Sequence, residues 1–101
     1  MSTIPITVAR IYSREKERTL QKTLKDLHDV HHVMGATIFR GTQGFSLDGV
    51  MHETRLVDLS LDLPLILEFF DTPERVEAVL DALESEIQRH AVIRVSATLQ
   101  R

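Results

Sequence analysis

An apolar run at residues 63–70 is the feature that most constrains how this chain can fold. The run reads LPLILEFF, with apolar side chains at nearly every position. A strand with one face in water would alternate apolar and polar residues, so the pattern predicts a strand covered on both faces. An earlier apolar segment, residues 36–45, precedes it, and the polar residues 46–59 lie between the two. We therefore predict a β-hairpin whose connection is long, a property more typical of functional loops than of simple turns.

Two further strands and two helices are predicted around this hairpin. Residues 4–12 form the first strand, and Ser13 is placed to cap a helix that ends just before Gly35. The apolar face of that helix consists of Leu20, Leu24, Leu27 and Val30. After the buried strand, the residues DTPE at 71–74 predict a helix start with a capping side chain and proline in the first turn.

The second helix carries an apolar stripe, and an alternating strand at residues 91–99 ends the chain. The stripe comprises Val76, Val79, Leu80, Leu83 and Ile87. The order βαββαβ indicates an α+β, ferredoxin-like fold for residues 1–101 as one domain: a four-stranded antiparallel sheet with two helices on one face. Because those helices leave the other face uncovered, a second copy of the chain is its simplest cover.

Composition excludes several classes of function. The net charge of −3 argues against a dedicated nucleic-acid binder. The chain has no cysteine, so it has no disulfide, thiolate nucleophile or cysteine-based zinc site. No apolar run approaches the roughly 20 residues of a membrane span, and the first ten residues lack signal-peptide features. We therefore expect a cytoplasmic protein. No nucleophile–base pair is visible, so we expect that it is not an enzyme, and we expect no cofactor.

Residues 35–45, GATIFRGTQGF, and residues 59–72, LSLDLPLILEFFDT, resemble the P-II-like proteins of unassigned function. These are small relatives of the nitrogen-regulatory P-II signalling proteins. The likeness covers residues 8–12 and 35–77, with Gly-Ala-Thr, Phe-Arg-Gly, Gly-Phe and Asp-Leu-Pro in register. Two features depart from the family: residues 12–35 are shorter than usual, and only Gln88-Arg89-His90 replaces a glycine-rich, basic phosphate loop.

The resemblance implies a homotrimer with adenine-nucleotide sites between subunits, near the base of a protruding partner-binding loop. That loop is residues 46–59, the counterpart of the T-loop. Its expected contacts with a protein target, a membrane transporter or channel being one candidate, are made by Leu47, Asp48, Gly49, Met51 and His52. The loop base is Gly44, Phe45 and Ser46.

Residue chemistry near the loop base suggests a binding site for a small anionic ligand. Gly44 permits close backbone approach, Phe45 offers a flat apolar surface, and Ser46 can donate a hydrogen bond. Gly41 and Gly44 bound a segment that either exposes amides to an anion or forms a strand bulge. Arg40 and Arg55 are the nearest cations in sequence. For Arg40, we favour an ion pair with Glu68 over phosphate binding, because a buried charge needs a partner.

Three functions remain open at this stage. The leading one is a trimeric sensor in which a metabolite or nucleotide reorders the loop, and the second is a protein-interaction module that needs no ligand. The third is a trimeric metal-binding protein similar to the divalent-ion tolerance proteins. His28 and His32 are four residues apart on a predicted helix, a spacing that suits one metal ion. We favour a role as polar cover at the helix end, and we assign no metal ligand.

Overall fold

A computed structural model describes residues 2–53 and 62–101 of the chain. Within these residues the chain forms strands and helices whose bounds are β1 (Thr3–Arg14), α1 (Thr19–Asp29), β2 (Gly35–Arg40), β3 (Gln43–Gly44), β4 (His52–Glu53), β5 (Pro64–Asp71), α2 (Pro73–Ala82), α3 (Glu84–Ile87) and β6 (Ala91–Gln100). None of the helices in this part of the chain has the length and apolar character needed to cross a bilayer.

The main sheet has four strands in the order β2-β5-β1-β6, and every neighbouring pair is antiparallel. The short strands β3 and β4 pair separately with each other at the base of the long loop. The order of the main elements, strand–helix–strand–strand–helix–strand, confirms the predicted ferredoxin-like α+β fold.

The core lies between one face of the sheet and the helices. Ile11 pairs with Leu67, and Ala9 pairs with Phe69; all four side chains are fully buried. The predicted stripe of the second helix is also buried: Val76, Val79, Leu80, Leu83 and Ile87. Alternation along β5 therefore places Leu65, Leu67 and Phe69 toward the helices and Ile66, Glu68 and Phe70 on the opposite face.

The opposite face of the sheet is apolar but open in the single chain. We define this open sheet face by its large apolar side chains, Val8, Phe39, Ile66, Phe70, Ile93 and Val95. Arg10 and Glu68 form an ion pair of 2.9 Å among them. With its charges already paired, the face can be covered without leaving an isolated ion in an apolar environment.

The predicted start of α1 is wrong. Ser13 pairs with Leu65, so β1 continues to Arg14 and Ser13 caps no helix. A 3₁₀ turn, Glu15–Glu17, follows, and Arg18 adopts a left-handed conformation with φ of 57° before α1 begins. The ladder with β5 stabilises the longer strand, and this tertiary pairing outweighs the local capping preference.

The predicted end of α1 is wrong as well. The helix ends at Asp29, and Val30, expected on the buried face, is 63% exposed. Gly35 begins β2 instead of ending the helix. A Cβ atom at Gly35 would overlap the ring of Phe70, so any larger residue there would force the ring to move.

The second helix begins where predicted, but its capping differs. Thr72 is the N-cap and makes no side-chain capping bond. The buried carboxylate of Asp71 instead accepts hydrogen bonds from the backbone amides of Met34 and Thr72 and pairs with Arg75 at 3.1 Å. Asp71 thus joins the end of β5 to the start of β2.

The predicted ion pair between Arg40 and Glu68 is not formed. In the sheet register, Arg40 lies opposite Leu65, and Thr37 lies opposite Glu68. Arg40 pairs with Glu15, and Glu68 pairs with Arg10 from the neighbouring strand. The register could not be read from the sequence, and it decides which charges meet.

A charged cluster that joins α1 to α3 is expected to make folding sensitive to acid. The Lys22 ammonium donates to Asp26 and Glu86 at 2.9 Å each. Its hydrogen bond lowers the pKa of Asp26 below the usual value. A lowered folded-state pKa gives stability above the unfolded pKa of about 3.9, and this stability is lost as pH falls through the folded pKa.

We therefore expect Lys22→Met to lose less stability than the parent protein as the pH falls below about 4. Urea unfolding at several pH values measures the difference. Lys25→Met is a suitable control, since the Lys25 ammonium is 79% exposed and pairs with Asp29 at only 3.6 Å. Identical pH profiles for the parent and Lys22→Met would contradict this role for the cluster.

Candidate functional site

A cleft of about 120 Å³ lies where the end of β1, the base of the long loop and the link before β6 meet. We call it the loop-base cleft. Its walls are Tyr12, Ser13, Arg14, Glu17, Phe45, Ser46, Leu47, Asp48, His52, Pro64, Arg89, His90 and Ala91.

The antiparallel sheet explains why distant segments meet in this cleft. Tyr12 pairs with Ala91, and Arg14 pairs with Pro64. The end of β1 therefore lies beside the first residues of both β5 and β6. Pairing of Gly44 with His52 holds the two sides of the long loop together at its base. The loop thus leaves the sheet directly above the strand ends.

Basic side chains outnumber acidic ones in the cleft. Arg14 contacts Asp62 at 3.3 Å, and His52 lies 3.6 Å from the same carboxylate. Arg89 is exposed and makes no hydrogen bond or ion pair with the residues that the structure describes. Arg89 is therefore a cation available to an anionic ligand.

A compact polar cluster forms one wall of the cleft. The Ser13 hydroxyl donates to Glu17 at 3.0 Å, and His90 Nε2 lies 2.9 Å from the same carboxylate oxygen. Only 8% of the His90 side chain is exposed, compared with 36% of Glu17. Among residues 2–53 and 62–101, His90 Nδ1 has no hydrogen-bond partner.

The structure brings together residues from both predicted sets. Phe45 and Ser46, predicted to bind the ligand, line the cleft beside three residues predicted to contact a partner, Leu47, Asp48 and His52. The residues predicted to bind the ligand and those predicted to contact a partner are therefore not separated in space.

Two other loop residues lie outside the cleft walls. Gly49 has φ of 72° and donates to the Ser46 carbonyl in a tight turn, a conformation that favours glycine. Met51 is 56% exposed.

The remaining predicted ligand residues are not in this cleft. Arg40 lies beside Glu15, Arg18 and Gln21 in a separate groove. The Gly41 amide donates to the Pro64 carbonyl at 2.8 Å, so it is not free to bind an anion.

Gly41 and Gly44 differ in how closely the chain packs against them. A Cβ atom at Gly41 would lie 2.9 Å from Pro64, whereas one at Gly44 would make an ordinary contact of 3.6 Å. Close packing therefore requires a glycine at position 41, not 44. Arg55 and residues 54–59 of the predicted loop are outside the described part of the chain.

Sequence reasoning missed four ionisable residues of the cleft: Arg14, Glu17, Arg89 and His90. The predicted topology held a usable signal, because the end of the first strand and the start of the last must be adjacent in this fold. The link at residues 88–90 was regarded only as a missing phosphate loop, although it contributes an arginine and a histidine to the site.

His28 and His32 do not form the metal site that their spacing in the sequence suggests. His28 lies on α1, but His32 follows the helix with a φ of 50°, so the two do not share a helical face. His28 instead hydrogen-bonds Asp29 at 2.7 Å, which lowers the pKa of Asp29. No group of three or more metal-ligating side chains occurs in residues 2–53 and 62–101.

Comparison with solved structures identifies the class of fold. CPII from Thiomonas intermedia K12, a nitrogen regulatory PII-like protein solved with ADP, AMP and bicarbonate, superposes with a TM-score of 0.66. The match covers 99% of this chain and 98% of CPII at 15% identity. The divalent ion tolerance protein CutA1 from Ehrlichia chaffeensis also has a TM-score of 0.66, at 12% identity, over 95% of this chain and 84% of CutA1. The fold is that of the P-II-like proteins and of CutA1.

Sequence comparison identifies the family. The chain belongs to DUF190, described as "Uncharacterized ACR, COG1993", whose model matches residues 6–99. UPF0166 protein MJ1524 of Methanocaldococcus jannaschii is 28% identical over 97 residues, covering 92% of this chain and 89% of that protein. The predicted membership of a P-II-like family of unassigned function is confirmed.

Proposed function

We propose that this chain is a P-II-like regulatory protein that binds a small anionic ligand, with a nucleotide as the leading candidate. The ligand occupies clefts between the subunits of a trimer, and loop 46–59 transmits its presence to a protein target. The observation that carries this proposal is the loop-base cleft, which combines the available cation Arg89, the ring of Phe45 and the loop itself.

The size of the cleft supports a site shared between subunits. Pockets for drug-sized ligands enclose about 300–1,000 Å³, whereas this cleft encloses about 120 Å³. One chain therefore accommodates only part of a nucleotide. The open sheet face supplies a reason for further chains to assemble, because three of its six large apolar side chains, Phe39, Ile93 and Val95, are exposed in the single chain and the other three are only partly buried.

The chemistry of the cleft supports a nucleotide or a related anion. Phe45 is 68% exposed and presents a ring on which a base can stack. Arg89 offers a guanidinium, whose planar geometry suits phosphate and carboxylate groups. CPII, which shares the fold, was solved with ADP, AMP and bicarbonate, so these molecules are the first to test.

Replacing Arg89 with alanine is expected to weaken binding of ADP by roughly 10- to 100-fold. A hydrogen bond to a charged group contributes about 1.5–3 kcal/mol, which corresponds to that range of dissociation constants. Calorimetric titration with ADP, AMP, ATP, cyclic dinucleotides and bicarbonate measures the effect.

Lys25→Ala is the matched control. It removes one exposed positive charge from α1, outside the cleft, and we expect it to leave affinity within about twofold of the parent protein. If no molecule of the panel binds the parent protein, the ligand-sensing function is wrong. If ADP binds equally well to Arg89→Ala, the site lies elsewhere.

We further propose that the protein is not an enzyme, has no resident cofactor and acts in the cytoplasm, with no nucleic-acid partner. The negative net charge of −3 supports the last point. A role in regulating a membrane transporter or channel stays a prediction from the family resemblance.

The second candidate function is protein binding without a small ligand, and three exposed apolar side chains in the otherwise polar loop favour it. Leu47 is 88% exposed, and Val50 and Met51 are each more than half exposed. Exposed apolar side chains close together in one short loop are a suitable contact surface for a protein partner. A partner captured equally well with and without ADP, but lost in a variant with serine at these three positions, would favour this function.

The divalent-metal alternative has no observation in its favour within the described residues. The likeness to CutA1 is one of fold, and no suitable cluster of ligands is present in that part of the chain. Metal analysis of the purified protein tests this alternative directly.

A further inference from the structure

The carboxylate of Glu17 accepts hydrogen bonds from two side chains in the loop-base cleft, and a third, His90, lies beside it and within 3.2 Å of the Ser13 hydroxyl. Ser13 Oγ donates to Oε2 at 3.0 Å, and Arg14 Nε donates to Oε1 at 3.2 Å. His90 Nε2 lies 2.9 Å from Oε2. A hydroxyl, a guanidinium and an imidazole, supplied by β1 and by the link before β6, thus converge on one anionic group.

These three donors form a receptor for an oxyanion of any origin. Charge-assisted hydrogen bonds from arginine bind carboxylates and phosphates alike, and an imidazole N–H can donate to either. His90, at 8% exposure, is built into the wall, whereas Glu17, at 36% exposure, reaches the receptor from the solvent side. His90 is therefore more firmly placed than the carboxylate beside it, whereas Arg14, at 42% exposure, is as accessible as Glu17.

Glu17 lies in a short segment whose backbone conformation favours movement. Its 3₁₀ turn, Glu15–Glu17, is only three residues long, and the next residue, Arg18, has the left-handed φ of 57°. Such backbone conformations cost free energy in residues other than glycine and occur frequently in switch regions. A second groove, which also borders Glu17 and His90, provides space beside the cleft.

We propose that Glu17 is an internal competitor of the ligand. Its carboxylate fills the subsite for an anionic group, either a phosphate or a carboxylate, and it must leave when the ligand binds. This inference rests on the proposed ligand-binding function and deepens it: the cleft is closed by the chain itself until an external oxyanion replaces Glu17 on Ser13, Arg14 and His90.

The test compares the parent protein with Glu17→Gln and Glu17→Ala in calorimetric titrations with ADP, inorganic phosphate and acetate. The glutamine keeps the shape of the side chain and removes its charge, and the alanine removes the competitor entirely. We expect both variants to bind ADP at least tenfold more tightly than the parent protein. Tighter binding of phosphate alone, or of acetate alone, identifies which oxyanion the receptor accepts.

Glu74→Gln is the control for net charge. Glu74 is exposed in the first turn of α2, which follows the far end of β5 from Pro64. We expect its affinities to equal those of the parent protein. Adding His90→Gln to Glu17→Gln is expected to abolish the tenfold gain, and thermal unfolding confirms that each variant is folded.

The outcomes separate the two proposals. If the parent protein binds ADP and the Glu17 variants bind it no more tightly, the competitor role is wrong and the ligand-binding function stands. If only the variants bind phosphate or acetate and no protein binds ADP, the competitor role is supported and the nucleotide is wrong. If no protein binds any probe, both proposals are wrong.

Discussion

Replacing Ile66 with aspartate is expected to dissociate the assembly into single chains or to unfold the protein. Ile66 lies on the open sheet face, opposite Tyr12 on one side and Phe39 on the other. Covering a large aliphatic side chain stabilises by about 1.5–3 kcal/mol, and this gain is repeated in each subunit. A carboxylate in the covered face would lose water without gaining a partner, which is costly.

Size-exclusion chromatography with light scattering measures this effect, and circular dichroism reports whether the separated chains stay folded. Val30→Asp is the matched control, because Val30 is 63% exposed beyond the end of α1 and is not part of the open face. We expect Val30→Asp to keep the mass of the parent protein. A well-folded parent protein with the mass of one chain would contradict the proposed assembly.

Replacing Phe69 with alanine is expected to lower the free energy of unfolding by about 3–5 kcal/mol. Phe69 is fully buried and is among the largest side chains of the core. Its removal leaves a cavity between the sheet and the helices that the neighbouring side chains cannot fill completely. Because native proteins are stable by only about 5–15 kcal/mol, the variant should lose a large fraction of its stability.

Phe70→Ala, the neighbouring residue on the other face of β5, is the control for this prediction. Phe70 is half-buried, and its ring covers Gly35. We expect its replacement to weaken assembly, so that the loss of stability grows as the protein is diluted. The loss in Phe69→Ala should be large at every concentration. Equal, concentration-independent losses in urea unfolding would show that the two faces are covered alike within one chain.

Elements whose periodicity was strong were predicted correctly from the sequence. The stripe of α2 and the apolar strand β5 are recognisable because burial requires apolar residues at fixed spacings. Boundaries were less predictable where pairing between strands outweighs local preference. Ser13 can cap a helix in isolation, yet the ladder to Leu65 keeps it in a strand. A glycine such as Gly35 is typical of a helix end, yet in the structure its lack of a side chain makes room for the Phe70 ring.

The candidate site was predictable only in part, because its walls come from segments far apart in sequence. Phe45 and Ser46 were found since the loop base is conspicuous in the sequence. Glu17 and His90 are 73 positions apart by their numbers, and only the antiparallel register of β1 with β6 brings them together. The true partner of Arg40 was missed for the same reason, since charges in a sheet meet according to register.

Tyr12 belongs to two surfaces at once. It lies opposite Ile66 in the register of the open sheet face, and it lines the loop-base cleft. Under the proposed function, a side chain shared in this way links two equilibria, because a ligand that contacts it would act on the association of the chains. Thermodynamic reciprocity then requires the ligand to strengthen association of the chains by the same factor by which association strengthens ligand binding. If both proposals hold, the concentration of the protein itself therefore affects how strongly the cleft binds its ligand.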